Sequence, residues 1–492
     1  MGCSAGGVAD GVVRVKITRR EFAELVLAGV PLAAVGASRE EAERFLAEEK
    51  KRGVEVKVKR RPHPLEPGCS LSLLGYGGIR LPVERKRNDR KATGYWEDEK
   101  VDIELGCKFV DYAYSSGINY FDTGYLYHGG DSERLFGRAL SRYPRSSFYL
   151  CDKMPTPHIK SLEHAKEVFK EQLDRCKVKY FDTYMLHEIR NVSDWEVKYK
   201  AWGVLDYLKE EKKRGRIRHL GFSFHERPPL FSRMLQEEKF ECALILLNAI
   251  DWEGPNQSHE LCKIAAEHKL PLWVMEPLLG GRLAHLKPKA NAILHRHAAG
   301  KTDASWALRF AASEPQVACV LSSFSRIEHL KENILTLGAD FKPMSGDEHS
   351  VYAAAIAEEL SGQKLVPCTE CRYCMPCPYG IDIAGLFKWW NDKVKWACTP
   401  SLDKGASGLA RWDFLSEYRS RFPGRSGAYY CIGCKKCDAA CPQWQFVIPD
   451  ELEKISSFME AVRAASPDYP SHLDPSSLQY RALRFLKRKG LS

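Results

Sequence analysis

The sequence predicts an α/β protein in which a (β/α)8 barrel is followed by a smaller, mainly helical domain built around cysteines. Short apolar runs alternate with longer helical patterns over more than half of the chain, which is typical of a closed parallel barrel. Eight of the 17 cysteines then fall into two tight runs near the C-terminus. The length of 492 residues also exceeds that of one ordinary domain.

The composition is that of a globular protein with a mixed charged surface. Hydrophobic residues make up 44% of the chain, and its net charge of +10 is spread over sequence in which basic and acidic residues alternate. This pattern favours a solvated surface over one that binds nucleic acid. The cysteines outside the two runs are scattered singly, so the sequence predicts no disulfide framework.

The N-terminus has the pattern of a twin-arginine export signal. Arg19 and Arg20 precede an apolar run over residues 25–35, and small residues follow at Gly36 and Ala37. The run is too short to span a membrane. The alternative is a buried amphipathic helix that begins with two arginines. We expect a signal peptide over residues 1–37 and a mature protein in the periplasm, or otherwise outside the cytoplasm.

The barrel is predicted over residues 38–345 and begins with an N-terminal hairpin, and a strictly alternating segment at 54–58 is predicted to be a strand. Its own strands are predicted at residues 71–76, 120–122, 148–152, 183–187, 219–223, 243–247, 272–275 and 317–321. The helices predicted between them include 161–177, 199–213, 257–268 and 326–336. A doubly wound open sheet is the alternative fold. No G-x-G-x-x-G opens a helix after a strand, which counts against a dinucleotide-binding domain of that kind.

Four ionisable residues lie at or just after the C-terminal ends of predicted strands, where the active site of such a barrel is built. They are Asp122, Tyr127, Lys153 and His187. Each has an ordinary explanation by itself: a turn cap, a packing residue, a solvated cation or a satisfied polar group. All four at matching strand ends predict an active site.

The stretches around these residues resemble the aldo/keto reductase family. Residues 121–133, FDTGYLYHGGDSE, closely resemble its signature, and residues 151–153, 182–187 and 220–225 resemble the strands that follow. Residues 275–283, MEPLLGGRL, are similar to the form found in the iron–sulfur-containing branch of the family. With the cysteine region, the resemblance covers nearly the whole expected mature chain.

The resemblance implies an oxidoreductase that acts on a carbonyl or alcohol. Tyr127 would be the general acid that protonates the carbonyl oxygen. Because a free phenol has a pKa of about 10, the Lys153 ammonium is expected to lower that pKa by favouring the phenolate. Asp122 would hold Lys153 in an ion pair, and His187 would orient the carbonyl.

The resemblance also implies a nicotinamide site, and here the chain departs from the family. The candidate contacts are Ser223, Asn248, Ser323, Arg326 and Asn333. However, Leu244 stands where the family commonly has glutamine, Ala249 replaces an expected aromatic residue, and Ser323 replaces an expected glycine. NADP(H) stays open as a cofactor, and we expect its binding to be weakened or lost.

The two cysteine runs predict two [4Fe–4S] clusters in a ferredoxin-like domain over residues 346–492, which begins with a linker helix at 346–361. The second run has the bacterial ferredoxin spacing, and the first differs from it by one residue. The ligands of one cluster would be Cys368, Cys371, Cys374 and Cys441, because the fourth cysteine of each run ligates the other cluster in two-cluster ferredoxins. The ligands of the other would be Cys431, Cys434, Cys437 and Cys377. Structural zinc is the alternative.

These observations predict an exported aldo/keto-reductase-like oxidoreductase that uses two [4Fe–4S] clusters for electron transfer. Its partners would be a small-molecule carbonyl or alcohol substrate and a redox protein, with no nucleic acid and no integral membrane segment in the mature chain. A non-enzymatic electron carrier with the barrel as a scaffold is one alternative. The other is a cytoplasmic NADPH-dependent carbonyl reductase, which would require the N-terminal signal to be false.

Overall fold

The computed structural model describes residues 39–52, 56–84, 100–189, 191–254, 256–361, 365–368, 370–395, 398–402, 408–441 and 446–466. The signal peptide predicted at 1–37 lies outside the described residues, and so does the end of the predicted ferredoxin-like domain, residues 467–492.

Eight parallel strands close into a barrel, which confirms the predicted fold and excludes an open doubly wound sheet. The strands are β3 (Leu74–Gly77), β4 (Tyr120–Asp122), β5 (Tyr149–Pro155), β6 (Phe181–Ile189), β7 (Ile217–Phe224), β8 (Cys242–Leu246), β9 (Leu272–Met275) and β10 (Val317–Ser323). Each strand pairs with its neighbours in chain order, and β10 pairs with both β9 and β3. Because the strands are parallel, the C-terminal ends of all eight lie on one face of the barrel.

A short hairpin of β1 (Arg60–Pro62) and β2 (Ser70–Ser72) precedes the barrel. The strand predicted at 54–58 is wrong for its described residues, since Val58 forms only an isolated bridge to Gly338. Its amide instead donates to Ser116 O at the end of a barrel helix, at 2.9 Å. The strand predicted at 71–76 is divided between β2 and β3.

Helices surround the barrel and alternate with its strands. They are α1 (Arg39–Arg52), α2 (Ile103–Ser115), α3 (Asp131–Leu140), α4 (Leu162–Cys176), α5 (Val204–Lys213), α6 (Pro228–Glu237), α7 (Ser258–Glu267), α8 (Pro288–His297), α9 (Asp303–Ser313) and α10 (Ile327–Thr336). The helix predicted at 199–213 is interrupted. A π-helical segment at Asp194–Ala201 ends before Gly203, whose φ of 74° only glycine adopts without strain, and α5 begins after it.

The chain leaves the barrel through α11 (Gly346–Glu359), close to the predicted linker helix. A capping box between Ser345 and Glu348 begins this helix, and α11 packs along α8. At its C-terminal end the Glu359 carboxylate accepts from Lys287 N at 2.7 Å and lies 3.7 Å from the Arg282 guanidinium. Glu359 therefore ties the linker to the loop that follows β9.

The C-terminal part has a hydrophobic core separate from that of the barrel. Four helices build it: α12 (Ile383–Lys395), α13 (Gly408–Arg421), α14 (Lys436–Ala440) and α15 (Ile448–Ala464). Trp389, Leu386 and Leu452 are among its fully buried side chains. In the described part of the chain, no helix is long and apolar enough to cross a lipid bilayer.

Candidate active site

A buried ion pair lies at the C-terminal ends of two neighbouring strands. Lys153 on β5 places its Nζ 2.6 Å from Asp122 Oδ1 at the end of β4, and the two side chains are 0% and 5% exposed. Lys153 also donates to Thr123 O. Burial by itself lowers the pKa of Lys153, but the Asp122 carboxylate raises it above its usual value. Lys153 is therefore a cation at neutral pH.

Tyr127 and His187 lie beside this pair. Tyr127 Oη is 3.3 Å from His187 Nε2, and Lys153 Nζ is 5.0 Å from the centre of the Tyr127 ring. The turn that holds Tyr127 needs left-handed backbone at the next three residues, and Gly129 and Gly130 supply two of them. The structure thus brings together all four residues that the sequence predicted as catalytic.

The pKa of Tyr127 differs from the expectation. Burial raises this pKa above its usual value, and it outweighs the opposing effect of Lys153. The carboxylates of Asp122 and Glu188 add to the rise. Tyr127 is therefore protonated at neutral pH, which is the state a proton donor needs.

A second buried group lies behind Lys153, and sequence reasoning missed it. Asp152 Oδ1 accepts from Gln172 Nε2 at 2.7 Å and from Lys153 N at 2.8 Å. Burial and then the nearby charge of Glu133 raise the pKa of Asp152 well above its usual value, while Arg175 binds Glu133 at 2.8 Å. Asp152 and Glu133 belong to the family-like segments 151–153 and 121–133, but the sequence does not show that they lie together. Their burial in the structure shows it.

A cavity of about 540 Å³ opens over these residues. Asp122, Tyr127 and His187 line one end of it, which we call the catalytic end. The other, which we call the distal end, lies between the loop after β9 and α10. Its lining includes Gly280, Gly281, His285, His295, Thr302, Asp303, Ser322, Ser323, His329, Glu332 and Asn333. The cavity is large enough for a small-molecule ligand.

The predicted nicotinamide contacts are only partly brought to this cavity. Ser323 and Asn333 line it, and Asn333 Nδ2 donates to Ser322 Oγ at 2.8 Å. Ser223 Oγ lies 3.4 Å from His225 Nε2, and Arg326 lies 3.6 Å from the Glu328 carboxylate.

Asn248 is buried and bonded within the fold. Its amide nitrogen donates to Asp251 Oδ2 at 2.7 Å and to Glu276 O at 3.1 Å. Its amide oxygen accepts from the backbone of residues 250 and 251. This network holds the end of β8 against the loop after β9, which is a structural use of the side chain.

The distal end does not match the charge of a nucleotide phosphate. Among the described residues that line the cavity, Arg80 is the only lysine or arginine, and Glu332 and Asp303 both line the distal end. Burial, with Arg326 and His285 nearby, lowers the pKa of His329 and favours its neutral form. Leu244 also lines the cavity, where an apolar side chain offers a carboxamide no hydrogen bond.

The cysteines of the two runs gather around the second core. Six of the eight pack against it half-buried, whereas Cys371 and Cys434 are exposed. Burial raises the pKa of Cys368 and Cys374, and the sulfurs of Cys371 and Cys441 contribute to both shifts. Cys441 of the second run therefore lies near Cys368 and Cys374 of the first run.

The second run forms its own group. Burial, followed by the charges of Asp438, Cys431 and Cys434, raises the pKa of Cys437 to about 12. Among the described residues, no three His, Cys, Asp or Glu side chains converge closely enough to hold a single metal ion.

Known proteins resemble the barrel part of the chain. The sequence profile of the aldo/keto reductase family matches residues 90–349. An aldo-keto reductase of Mycobacterium avium is 27% identical over 275 residues, which cover 55% of this chain and 82% of that protein. The uncharacterized oxidoreductase YqkF of Bacillus subtilis is 25% identical over 280 residues, covering 48% and 87%.

Two further similarities are partial or remote. A probable aldo-keto reductase of Glycine max is 29% identical over 164 residues, and the match spans 32% of this chain but only 42% of that protein. Among solved structures, the holo form of an aldo-keto reductase from Bacillus halodurans aligns with a TM-score of 0.48 and 21% identity. That alignment covers 61% of this chain and 96% of the other.

Proposed function

The chain belongs to the aldo/keto reductase family and is an oxidoreductase; on that premise we propose that it interconverts a carbonyl and an alcohol outside the cytoplasm and exchanges electrons through two [4Fe–4S] clusters. The observation that carries the chemistry is the buried Lys153–Asp122 pair beside Tyr127 and His187, at one end of a cavity of about 540 Å³.

In this proposal Tyr127 Oη gives its proton to the carbonyl oxygen while the carbonyl carbon is reduced. Lys153 lies close enough to stabilise the phenolate that results, since attraction between opposite charges is strong where water is excluded. Asp122 holds Lys153 in place. His187, 3.3 Å from the phenol oxygen, is placed to orient the carbonyl.

The residues of the cavity do not fit NADP(H), so we derive no step through it. Leu244 stands where the family commonly has a hydrogen-bonding glutamine, and Arg80 is the only lysine or arginine among the described residues that line the cavity, which leaves few cations to bind a 2′-phosphate. Because a cluster transfers one electron at a time and carbonyl reduction needs two, another two-electron carrier is required.

Support for the clusters comes from the cysteine spacing and from the gathering of the cysteines around the second core. Their sulfurs lie in two groups, and Cys441 belongs with the group of Cys368.

The rival is a cytoplasmic NADPH-dependent reductase, with which the family match is equally consistent. Titration calorimetry of NADPH and NADH into anaerobically purified protein separates the two. We expect no binding at micromolar concentrations. Micromolar affinity for NADPH would favour the rival and would count against export, because NADPH is a cytoplasmic cofactor.

A further inference from the structure

Both cysteine runs expose the same position to solvent. In each run the second cysteine is exposed, whereas the other three are half-buried against the second core. Cys371 is followed by Arg372, and Cys434 is followed by Lys435 and Lys436. Arg372 and Lys435 also share a left-handed backbone, with φ of 63° and 58°. Each run therefore turns directly after its exposed cysteine and presents a cation there.

The two exposed positions differ in how their charges are compensated. Next to Cys371, Arg372 lies 3.4 Å from Asp382, and Lys388 pairs with Glu370 at 3.0 Å. The positive charge of that surface is therefore largely balanced.

Next to Cys434 the balance is different. Lys435 and Lys436 are exposed, and neither forms an ion pair with any residue that the structure describes. The nearest acid in sequence, Asp438, is half-buried and accepts from Ile448 N at 2.7 Å, at the start of α15. The surface of Cys434, Lys435 and Lys436, which we call the Cys434 edge, is therefore positively charged.

We propose that the Cys434 edge is the contact through which the protein exchanges electrons with a small acidic redox protein. This inference rests on the proposed function, because it requires clusters bound to the two runs. An exposed ligand brings a cluster to the protein surface, where the distance to a partner is shortest. The uncompensated lysines attract an acidic partner and accelerate its encounter, as charge complementarity does in other transient complexes.

The test compares two double charge reversals. One is Lys435→Glu with Lys436→Glu. The matched control is Lys177→Glu with Lys179→Glu, which makes the same change of charge at the amino-terminal end of the barrel strands. Lys177 has the same left-handed backbone as Lys435, with a φ of 54°. Both lysines of the control are exposed.

The measured quantity is the second-order rate constant for one-electron oxidation of the dithionite-reduced, cluster-loaded protein in stopped flow. The oxidants are an acidic blue-copper protein, anionic hexacyanoferrate(III) and cationic tris(phenanthroline)cobalt(III). Each accepts one electron from a reduced cluster. At low ionic strength we expect the Lys435/Lys436 variant to react roughly tenfold or more slowly with the two anionic oxidants, and faster with the cationic one. The control should react like the wild type.

Added salt should reduce the difference between the variants, because exposed charges are screened. Equal rates for the two variants at full cluster occupancy would overturn the inference. A larger loss in Arg372→Glu than in the Lys435/Lys436 variant would also overturn it, since the contact would then lie at Cys371. Should the double reversal fail to fold, Lys435→Gln with Lys436→Gln should give a smaller loss in the same direction.

Iron and acid-labile sulfide are measured before the kinetics. A folded wild-type protein that binds no clusters after anaerobic reconstitution would overturn the proposed function itself. Full cluster occupancy, with rate constants that do not depend on the charges of Lys435 and Lys436, would overturn only the inference.

Discussion

Lys153 is completely buried, and its charge is tolerated because Asp122 and Thr123 O surround its ammonium. Removing one partner of such a pair typically costs about 3–5 kcal/mol, because the other charge stays buried without compensation. Substitutions at Asp122 or Lys153 would therefore lower the stability of the protein as well as its turnover, and the two effects would be hard to separate. Tyr127 is the cleaner probe, since only its hydroxyl group needs to change.

Tyr127→Phe removes the proposed proton donor and keeps the ring. We expect turnover of the carbonyl substrate to fall by roughly 10²–10⁴-fold, the usual contribution of a general acid. One-electron oxidation of reduced clusters by hexacyanoferrate(III) should not change. Steady-state turnover and stopped-flow oxidation of the same preparation measure the two quantities.

Tyr125→Phe serves as the matched control. Tyr125 is two residues away and its hydroxyl binds Glu171 on the outside of the barrel at 2.8 Å. It should keep near-normal turnover. If Tyr127→Phe also kept normal turnover, the barrel would be a scaffold and the chain an electron carrier.

Asp152 offers a prediction about pH. Burial and Glu133 raise its pKa in the folded protein. A carboxyl group of this kind stabilises the fold below its unfolded pKa of about 4, and that contribution is lost as the pH rises through the folded value. Asp152→Asn should remove this dependence. The free energy of unfolding of the wild type should therefore fall between pH 5 and pH 8, relative to that of Asp152→Asn. Urea titrations of both proteins at the two pH values measure this difference.

Glu348→Gln is the control for Asp152→Asn. A hydrogen bond from Arg309 lowers the pKa of Glu348 well below its usual value, so this carboxylate is ionised at both pH 5 and pH 8. Glu348→Gln should therefore lower the free energy of unfolding by the same amount at pH 5 and at pH 8. A constant difference between wild type and Asp152→Asn across this range would show that Asp152 is ionised in the folded protein.

Among the single residues, the four catalytic positions could be predicted because family motifs and strand ends point to the same places. The buried pair of Asp152 and Glu133 could not be predicted, because the sequence does not distinguish a buried acidic residue from a solvated one. Lys153 lowers the pKa of Tyr127 as expected, but burial outweighs this effect, so the net shift could not be predicted. The sequence shows that a lysine is near, but it does not show how completely the phenol is buried.

At the scale of elements, the strands that build the barrel could be placed to within a few residues, because each is a short apolar run between turns. The N-terminal hairpin could be predicted, but the positions of its strands could not. Residues 54–58 alternate as a strand does, yet Val58 packs in the core and its amide bonds to the end of α2. Alternation does not show whether a partner strand is present, and here it does not show burial either, because Val56 is exposed.

The linker helix gives a prediction at this scale. The Glu359 carboxylate fixes Lys287 N and lies near Arg282, in the loop that lines the distal end of the cavity. Glu359→Ala should destabilise the protein by about 1–3 kcal/mol, because the half-buried hydrogen bond from Lys287 N to this carboxylate is lost. Hydrogen exchange at residues 279–287 should accelerate, and mass spectrometry of the peptides would detect it.

Glu358→Ala is the matched control, because Glu358 is the adjacent carboxylate and is not buried. Its hydrogen exchange at 279–287 should resemble that of wild type. Equal exchange in both variants would show that this loop is held without Glu359.

For the whole molecule, two separate hydrophobic cores predict two unfolding events. Cys374→Ala should remove about half of the bound iron, if each run holds three ligands of one [4Fe–4S] cluster. It should lower the stability of the second core and leave the barrel transition in place. Iron analysis and calorimetry follow the two effects.

Cys398→Ala is the control for Cys374→Ala, since Cys398 lies in the same region but outside the predicted ligand set. It should keep its iron. Full iron content in Cys374→Ala would contradict the assignment of Cys374 as a cluster ligand.

The order of domains could be predicted from the sequence, because the cysteine spacing and the alternation of strand and helix patterns are both local features. The shape of the cavity could not, since it depends on side chains that are distant along the chain. Glu332 and Asp303, for example, stand 29 positions apart in sequence and line the same end.

The buried cysteines of the barrel also bear on how the protein would mature in an oxidising compartment. Cys107, Cys151, Cys176, Cys242, Cys262 and Cys319 are buried, and among the described barrel cysteines only Cys69 is exposed. Burial raises the pKa of these six thiols, which keeps them protonated and slow to attack a disulfide. A barrel that is already folded would thus be nearly inert toward disulfide-forming catalysts, and only the same chain unfolded would offer them a choice of wrong pairings.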